Sequence, residues 1–372
     1  MPRTVNYISE FSPSQAHGGW DGMCAGVAAE LARHLQVHDV SPIRPRVNLV
    51  EKAVSKARRI LGAKGNFYYY SDRRLDTCAK AVAARCLTGA DADFFHGATP
   101  WLHCHAGRPY YTYIDACFET YLALYLNPAE FRPRDVARIV AQERSWLAKA
   151  ARVFVSSQWC RDEIRRLYGM AGENIEVVGL GGAIPIPERD EYRGELRFLC
   201  VATDFERKGG RIAFEAFESV QACYPQASLT YVGDRPPEEI QHYRGVSYAG
   251  YLRKSAPADL ARLCELYRRA RALVLPSTAD MTPVVVIEAG YYGCPAISTD
   301  CFGIREMISD GEAGLLLEPP IAVSALSEAM LRVCSGSAWY DQLRERVRRH
   351  FIGNSTWSCV VTRMLAGTTL LH

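Results

Sequence analysis

The stretch that decides the fold runs from residue 196 to residue 223 and reads LRFLCVATDFERKGGRIAFEAFESVQAC. Its first part, Leu196–Ala202, is a short apolar run typical of a buried strand. Its last part, Ile212–Cys223, repeats apolar residues at the three- and four-residue spacing of a helix. The turn between them holds two adjacent cations, Arg207 and Lys208, directly followed by two glycines. A strand, a glycine turn and a helix in this order form the repeating unit of a doubly wound parallel sheet.

The same alternation extends over the rest of the chain and predicts an α/β fold. The remaining predicted strands are Thr4–Ser9, His38–Ile43, Asn66–Tyr70, Ala92–His96, Tyr110–Asp115, Arg152–Ser156, Ile175–Gly179, Ser228–Val232, Val246–Tyr251, Ala272–Pro276, Ala296–Thr299 and Gly314–Leu317. A polar, proline-containing segment at 183–194 interrupts them and is typical of a linker. At roughly 150 residues per domain, 372 residues predict two domains. We place them at 1–182 and 195–350, with a last helix at about 355–372 that packs back on the first.

The composition narrows the class of protein. The balance of 44 basic and 41 acidic residues gives a formal net charge of +3, which does not favour general nucleic-acid binding. The thirteen cysteines are scattered without a C-x-x-C pair, a pattern typical of a reduced chain. No apolar signal core and no run of 18 apolar residues is present, so we expect a cytoplasmic protein that does not span a membrane.

Two loops carry the chemistry. In the first, Arg207 and Lys208 follow a strand, and the glycines after them open a helix, which predicts a phosphate or diphosphate site. A solvated charged turn is the alternative, and the motif is not a Walker A loop. In the second, Asp280 precedes Glu288 by eight residues, a little over two helical turns. Glu288 sits in an apolar helix and therefore needs donors, either ligand hydroxyls or the cation of a structural ion pair.

These segments, with the Gly18-Gly19 loop after the first strand and the turn at 293–306, resemble the retaining, nucleotide-sugar-dependent glycosyltransferases of family 4. The resemblance covers nearly the whole chain and is densest over 196–319. It implies the GT-B fold, two Rossmann-like doubly wound domains facing across a cleft. It also implies transfer of a sugar from a nucleoside-diphosphate donor to an acceptor hydroxyl, with no metal and no other cofactor. The base (UDP, GDP or ADP) and the acceptor (carbohydrate, lipid-linked or small molecule) stay open, as does the oligomeric state.

By that resemblance, Lys208 and Arg207 neutralise the donor diphosphate, Glu288 holds the ribose hydroxyls and Asp280 meets the donor sugar. The other donor-binding residues that it implies are Gly18, Gly19, Tyr251, Leu252, Thr282, Pro283, Val284 and Val285. The acceptor side departs from the family pattern, because Asp115 stands where a histidine is common. Asp115 is expected to take that site, or His96 serves instead, with Trp20 available to stack on a sugar.

Further departures keep other interpretations open. Asp280 is one methylene shorter than the usual glutamate, and Ala202 stands where many members have a Gly-Arg pair. A nucleotide-sugar epimerase or phosphorylase and a non-catalytic sugar-nucleotide-binding relative are therefore alternatives. His103 and His105, near His96, could form a metal pair, although ordinary loop residues fit that pattern better. The basic stretch at 44–59 fits weak peripheral contact with anionic lipid or an anionic acceptor, or more commonly a solvated helix face.

Overall fold

Two six-stranded parallel sheets form the protein, as a computed structural model of residues 3–15, 18–105, 107–238, 243–308, 313–336 and 338–370 shows. The first sheet has the order β2-β1-β3-β4-β5-β6 and the second β12-β11-β10-β7-β8-β9, with every paired strand parallel. Helices connect the strands in both sheets. The prediction of an α/β fold with two doubly wound sheets is confirmed.

The strands and helices have the following bounds. The strands are β1 Thr4–Ile8, β2 Gln36–Asp39, β3 Ala92–His96, β4 Tyr110–Ile114, β5 Arg152–Val155, β6 Ile175–Val177, β7 Arg197–Ala202, β8 Ser228–Gly233, β9 Val246–Tyr248, β10 Ala272–Leu275, β11 Ala296–Thr299 and β12 Gly314–Leu317. The helices are α1 Gly19–Leu31, α2 Leu49–Ile60, α3 Asp72–Arg85, α4 Phe118–Tyr125, α5 Pro133–Lys149, α6 Gln158–Tyr168, α7 Gly210–Cys223, α8 Pro257–Arg269, α9 Val284–Tyr291, α10 Ile304–Met307, α11 Val323–Cys334, α12 Ala338–Asn354 and α13 Trp357–Ala366.

One predicted strand is wrong. Residues 66–70 are rich in aromatic side chains and predict a strand, but Tyr68–Tyr70 is a turn of 3₁₀ helix. The aromatic rings of this segment pack on other aromatic rings. The ring centroid of Phe67 lies 4.4 Å from that of Phe131, and the ring centroid of Tyr70 lies 5.8 Å from that of Phe118. Tertiary packing of large rings therefore replaces the strand pairing that their β propensity suggests.

The chain divides into two compact units by its contacts. The first comprises 1–16, 24–179 and 360–372, and the second comprises 17–23 and 180–359. The prediction of a domain at 1–182 assigns the Gly18-Gly19 loop to the first domain, whereas the contacts group this loop with the second unit. The reason is local packing, since Met23 is buried in the core cluster of the second unit and Trp20 packs against it.

The order of strands in the second sheet sets the position of its functional edge. From β7 the chain continues outward through β8 to β9, and from β10 it continues the other way through β11 to β12. Strands β7 and β10 are neighbours in the sheet, so the connections diverge between them. Ligands of doubly wound sheets bind at this switch point, outside the carboxyl ends of the strands. No helix among the described residues is long and apolar enough to cross a bilayer.

Helix α12 packs on α9 through a glycine. An ideal Cβ on Gly290 would lie 2.0 Å from Cδ2 of Phe351, whose ring is itself buried. The ring of Phe351 can therefore pack directly on the backbone of α9, because residue 290 has no side chain. This packing fixes the position of α9, which carries Glu288.

We expect Gly290→Ala to destabilise the protein by about 1–3 kcal/mol, because the added methyl overpacks the contact with Phe351. The matched control is Gly353→Ala on α12, where nothing lies within 4 Å of the added Cβ and no loss is expected. Urea denaturation of both variants measures the difference. Equal midpoints for Gly290→Ala and the unsubstituted protein would contradict the packing argument.

Candidate functional site

The turn after β7 and the turn after β10 are joined at the switch point through Arg207. Its guanidinium donates from Nη1 to the carbonyl of Ala279 at 3.0 Å and from Nε to Asp204 at 3.0 Å. Its own carbonyl accepts from the backbone N–H of Thr278 at 2.9 Å. Burial raises the pKa of Asp204, but the hydrogen bonds from Arg207 outweigh it and lower the pKa below its usual value. Arg207 thus holds the two turns together as well as supplying a charge.

The first of the two glycines after Lys208 allows this close approach, and the second allows the β7 turn to pack on its own Phe205. Gly209 has φ of +74°, in the left-handed region, and an ideal Cβ there would lie 2.2 Å from the carbonyl oxygen of Pro276. A Cβ on Gly210 would lie 2.3 Å from the ring of Phe205. A side chain at position 209 would force the β7 turn away from the end of β10, whereas a side chain at position 210 would clash with Phe205 inside the β7 turn itself.

Lys208 lies at this junction and forms an ion pair with Asp280. The ammonium group donates to Oδ2 of the carboxylate, and both side chains are almost buried, at 13% and 11% exposed. Lys208 comes from the β7 turn and Asp280 from the β10 turn. The structure therefore brings together two residues that the sequence singled out separately, and it joins their charges directly.

Glu288 is fully buried in α9, and its carboxylate has three donors. Oε1 accepts from Nζ of Lys254 and from the backbone N–H of Ala183 at 3.0 Å, and Oε2 accepts from the hydroxyl of Tyr267 at 3.3 Å. Burial and the neighbouring Glu288 raise the pKa of Tyr267 well above its usual value, so the phenol stays a proton donor. The buried charge is compensated within the protein, as its apolar sequence context requires.

Lys254 is the residue that sequence analysis missed. It lies in the loop after β9, beyond the predicted contact residues Tyr251 and Leu252, and its side chain is only 12% exposed. Gly18 approaches the same lysine, since an ideal Cβ on the glycine would lie 3.4 Å from Cδ of Lys254. One signal was available in the sequence: a glutamate in an apolar helix needs a cation, and the glycine-containing loop at 250–254 supplies two.

The other predicted donor residues differ in how far they are exposed to solvent. Thr282 and Pro283 directly precede α9 and Val284 begins it; all three are buried, and Val285 is half-buried. Leu252 packs on the core of the second unit, while Tyr251 is 48% exposed. Gly19 has open space around it and φ of +58°.

The predicted acceptor residues of the first unit lie at one edge of its sheet. His96 ends β3 and Asp115 directly follows β4, and these two strands are paired with His96 opposite Tyr113. The imidazole of His96 is buried and Asp115 is half-buried. Burial and the charge of Asp115 raise the pKa of Tyr113 well above its usual value. Their assignment to an acceptor stays a prediction.

Two family models match the chain. "Glycosyltransferase Family 4" matches residues 19–181, and "Glycosyl transferases group 1" matches residues 195–335. The chain belongs to the family 4 glycosyltransferases. The matched ranges together include every residue that we place at the candidate site of the second unit except Gly18 and Ala183.

The names of curated relatives of the chain agree with this family. A phosphatidyl-myo-inositol mannosyltransferase of Mycobacterium leprae (strain TN) is 25% identical over 350 residues, which cover 90% of the chain and 88% of the relative. A glycogen synthase of Mycobacterium tuberculosis (strain ATCC 25618 / H37Rv) is 26% identical over 239 residues, which cover 61% of the chain and 56% of the relative. The chain thus spans little more than half the length of the glycogen synthases that it matches.

Solved structures give the fold. Sucrose-phosphate synthase from Thermosynechococcus elongatus has a TM-score of 0.68 at 17% identity, covering 97% of both chains. WaaG, a glycosyltransferase involved in lipopolysaccharide biosynthesis, has a TM-score of 0.66 at 16% identity, covering 98% of this chain and 100% of its own. These similarities fit the two Rossmann-like domains of the GT-B fold.

His103, one of the two histidines that suggested a metal pair, has other partners in the structure. Nδ1 of His103 lies 2.7 Å from a carboxylate oxygen of Asp76, and its Nε2 lies 3.1 Å from the side-chain nitrogen of Gln142. Within the described parts of the chain, no group of three or more histidine, cysteine or acidic side chains could hold a metal ion. A reaction without a metal stays a prediction.

We expect Lys254→Met to lower the free energy of unfolding by about 3 kcal/mol, because it leaves the charge of Glu288 buried without its cation. The same substitution in a Glu288→Gln background should cost much less, since a neutral amide needs no counter-ion. Urea denaturation of the four proteins gives the coupling energy between the two side chains. Equal losses in both backgrounds would show that Lys254 stabilises only by packing.

Proposed function

We propose that the protein is a retaining glycosyltransferase that moves a sugar from a nucleoside-diphosphate donor to an acceptor hydroxyl, without a metal ion. The observation that carries the proposal is the almost buried Lys208–Asp280 pair at the switch point of the second sheet, in a chain of family 4. A doubly wound sheet binds its ligand at this position, and a lysine at a helix start suits a diphosphate.

In this proposal the donor changes the partner of Lys208. Before the donor binds, Asp280 holds the ammonium group in place and compensates its charge. The diphosphate then replaces the carboxylate as the partner of Lys208, and Asp280 is free to accept hydrogen bonds from the donor sugar. Negative charge grows on the leaving diphosphate during transfer, and a cation already in position stabilises it without reorganisation. Arg207 and the backbone at the start of α9 complete the phosphate site.

The remaining residues of the predicted site suggest where the other parts of the donor bind and where the acceptor binds. We infer that Glu288 lies near the ribose and that Tyr251 and Leu252 border the base, with Gly18 and Gly19 close to the phosphates. For the acceptor we propose a carbohydrate or lipid-linked hydroxyl near Asp115. The phosphatidyl-myo-inositol mannosyltransferase relative supports the lipid-linked class by its name.

We further propose a cytoplasmic location with weak peripheral contact at the inner face of a membrane. All thirteen cysteines are free thiols, and most are buried, which suits a reducing compartment. The basic stretch at 44–59 supplies the charge for contact with an anionic surface.

A thermal-shift screen with UDP, GDP, ADP and their sugar conjugates tests the donor class. A ligand at one hundred times its Kd stabilises the native state by about 2.7 kcal/mol, so the correct base raises Tm. A transfer assay run beside a donor-only isomerisation assay then separates a transferase from an epimerase. No shift with any nucleotide would contradict the proposal.

We expect Lys208→Ala to lower kcat/KM by roughly 100-fold or more while the fold is retained, because a cation that stabilises the leaving diphosphate is lost. Lys149→Ala, which removes an exposed lysine at the end of α5, is the control and should leave kcat/KM unchanged. Near-normal turnover of Lys208→Ala in a steady-state transfer assay would remove Lys208 from the mechanism.

We expect Glu288→Gln to weaken nucleotide binding more than Asp280→Asn does. The first variant changes the carboxylate assigned to the ribose, while the second removes a competitor of the diphosphate for Lys208. Titration calorimetry with the nucleoside diphosphate measures both affinities. Equal affinities, or a larger loss for Asp280→Asn, would count against the assignment of Glu288 to the ribose.

A further inference from the structure

Helix α2 of the first unit presents its apolar side chains to solvent. Ten large apolar side chains are exposed among the described residues, and half of them belong to this helix and the residue after it: Leu49, Val50, Val54, Ile60 and Leu61. Leu49, Val50, Ile60 and Leu61 are more than 70% exposed. Such residues of a surface helix normally face the core, and a clustered exposed patch marks an interaction site.

The polar face of α2 is the one that packs on the protein. Ser55 is the buried residue of the helix, and its hydroxyl donates to the carbonyl of Asn66 at 3.0 Å. Gly65 approaches this face so closely that an ideal Cβ would lie 2.6 Å from Oγ of Ser55. Glu51 and Arg58, four residues before and three residues after Ser55, are half-buried on the same side.

The helix is therefore inverted relative to an ordinary amphipathic surface helix. At about 100° per residue, the apolar residues from Leu49 to Leu61 occupy a continuous arc of roughly 140°. The centre of that arc lies on the side of the helix opposite Ser55. Because the polar face packs on the protein, the apolar face is directed away from it. No rotation of the helix could bury both faces at once.

Cations border the apolar arc. Lys52 and Lys56 are exposed beside it, while the one acidic residue of the helix, Glu51, is on the inward face. Arg59 forms an ion pair with Glu130 at 3.2 Å, and Arg58 donates to the carbonyl of Lys64 at 3.0 Å. The outer surface of α2 therefore combines apolar side chains with positive charge.

We propose that α2 docks the protein on a bilayer surface that contains anionic lipids. The apolar arc would enter the boundary between headgroups and acyl chains, and Lys52 and Lys56 would reach the headgroup phosphates. A protein partner fits less well, because lysine is depleted in protein–protein interfaces. Helix α2 would thus make the membrane contact. Only the further idea, that this contact brings the protein to a lipid-linked acceptor, rests on the proposed function.

The test is co-sedimentation of the full chain with vesicles of phosphatidylcholine, with and without phosphatidylglycerol, in the absence of donor. We expect binding only to the anionic vesicles and its loss at high salt, because salt screens exposed charges. Lys52→Gln/Lys56→Gln should lower the partition coefficient roughly 30-fold at low ionic strength. Leu49→Gln/Ile60→Gln should remove binding altogether.

Matched controls keep the result specific to α2. Leu87→Gln/Ile186→Gln changes two exposed apolar residues elsewhere, and Lys80→Gln/Lys149→Gln changes two exposed lysines elsewhere. Both should bind as the unsubstituted protein does, and unchanged Tm values verify that all four variants fold.

Three results would overturn the proposal. They are no vesicle binding, equal binding by the α2 variants and the controls, and self-association that Leu49→Gln/Ile60→Gln abolishes, which would make a second copy of the chain the partner. Since the assay contains no donor, its failure is separate from failure of the proposed transfer reaction.

Discussion

The approach of the β7 turn to the end of β10 is the contact on which the candidate site depends. These two strands are neighbours from which the chain diverges in opposite directions, so their turns meet at one edge. The turns touch because Gly209 leaves room for the carbonyl of Pro276 and Arg207 bonds the loop after β10. Any displacement of the β7 turn would separate Lys208 from Asp280 and change the electrostatics of the site.

Two lysine–carboxylate pairs then set the charge of this region. Lys208 with Asp280 and Lys254 with Glu288 are each almost removed from solvent, so breaking either pair leaves a charge that water compensates only weakly. The two pairs differ in their surroundings. Glu288 has additional donors in a backbone N–H and a phenol and is fully buried, so its charge is compensated by several protein groups. Asp280 has Lys208 as its charged partner, and in the proposed mechanism the donor takes its place beside the lysine.

Much of the fold could be predicted, because the strands are short apolar runs between clear helical repeats. The strand Ala92–His96 and the strand Ala296–Thr299 match their predicted bounds. The failure at Tyr68–Tyr70 has a physical cause, since the strand preference of aromatic residues depends on their packing context and here the contacts of the rings override it. The site was predicted less completely, because Lys254 lies 34 residues before its partner and no local pattern links them.

The sequence by itself determined the alternation of strands and helices, the loops that follow β7 and β10, and the amphipathic character of α2. These properties follow from periodicity and turn chemistry, which act over a few residues. The tertiary structure alone decided which charges pair and which face of α2 is turned outward. An amphipathic helix has two faces, and the contacts of Ser55 with Asn66 and Gly65 are what place the polar one inside.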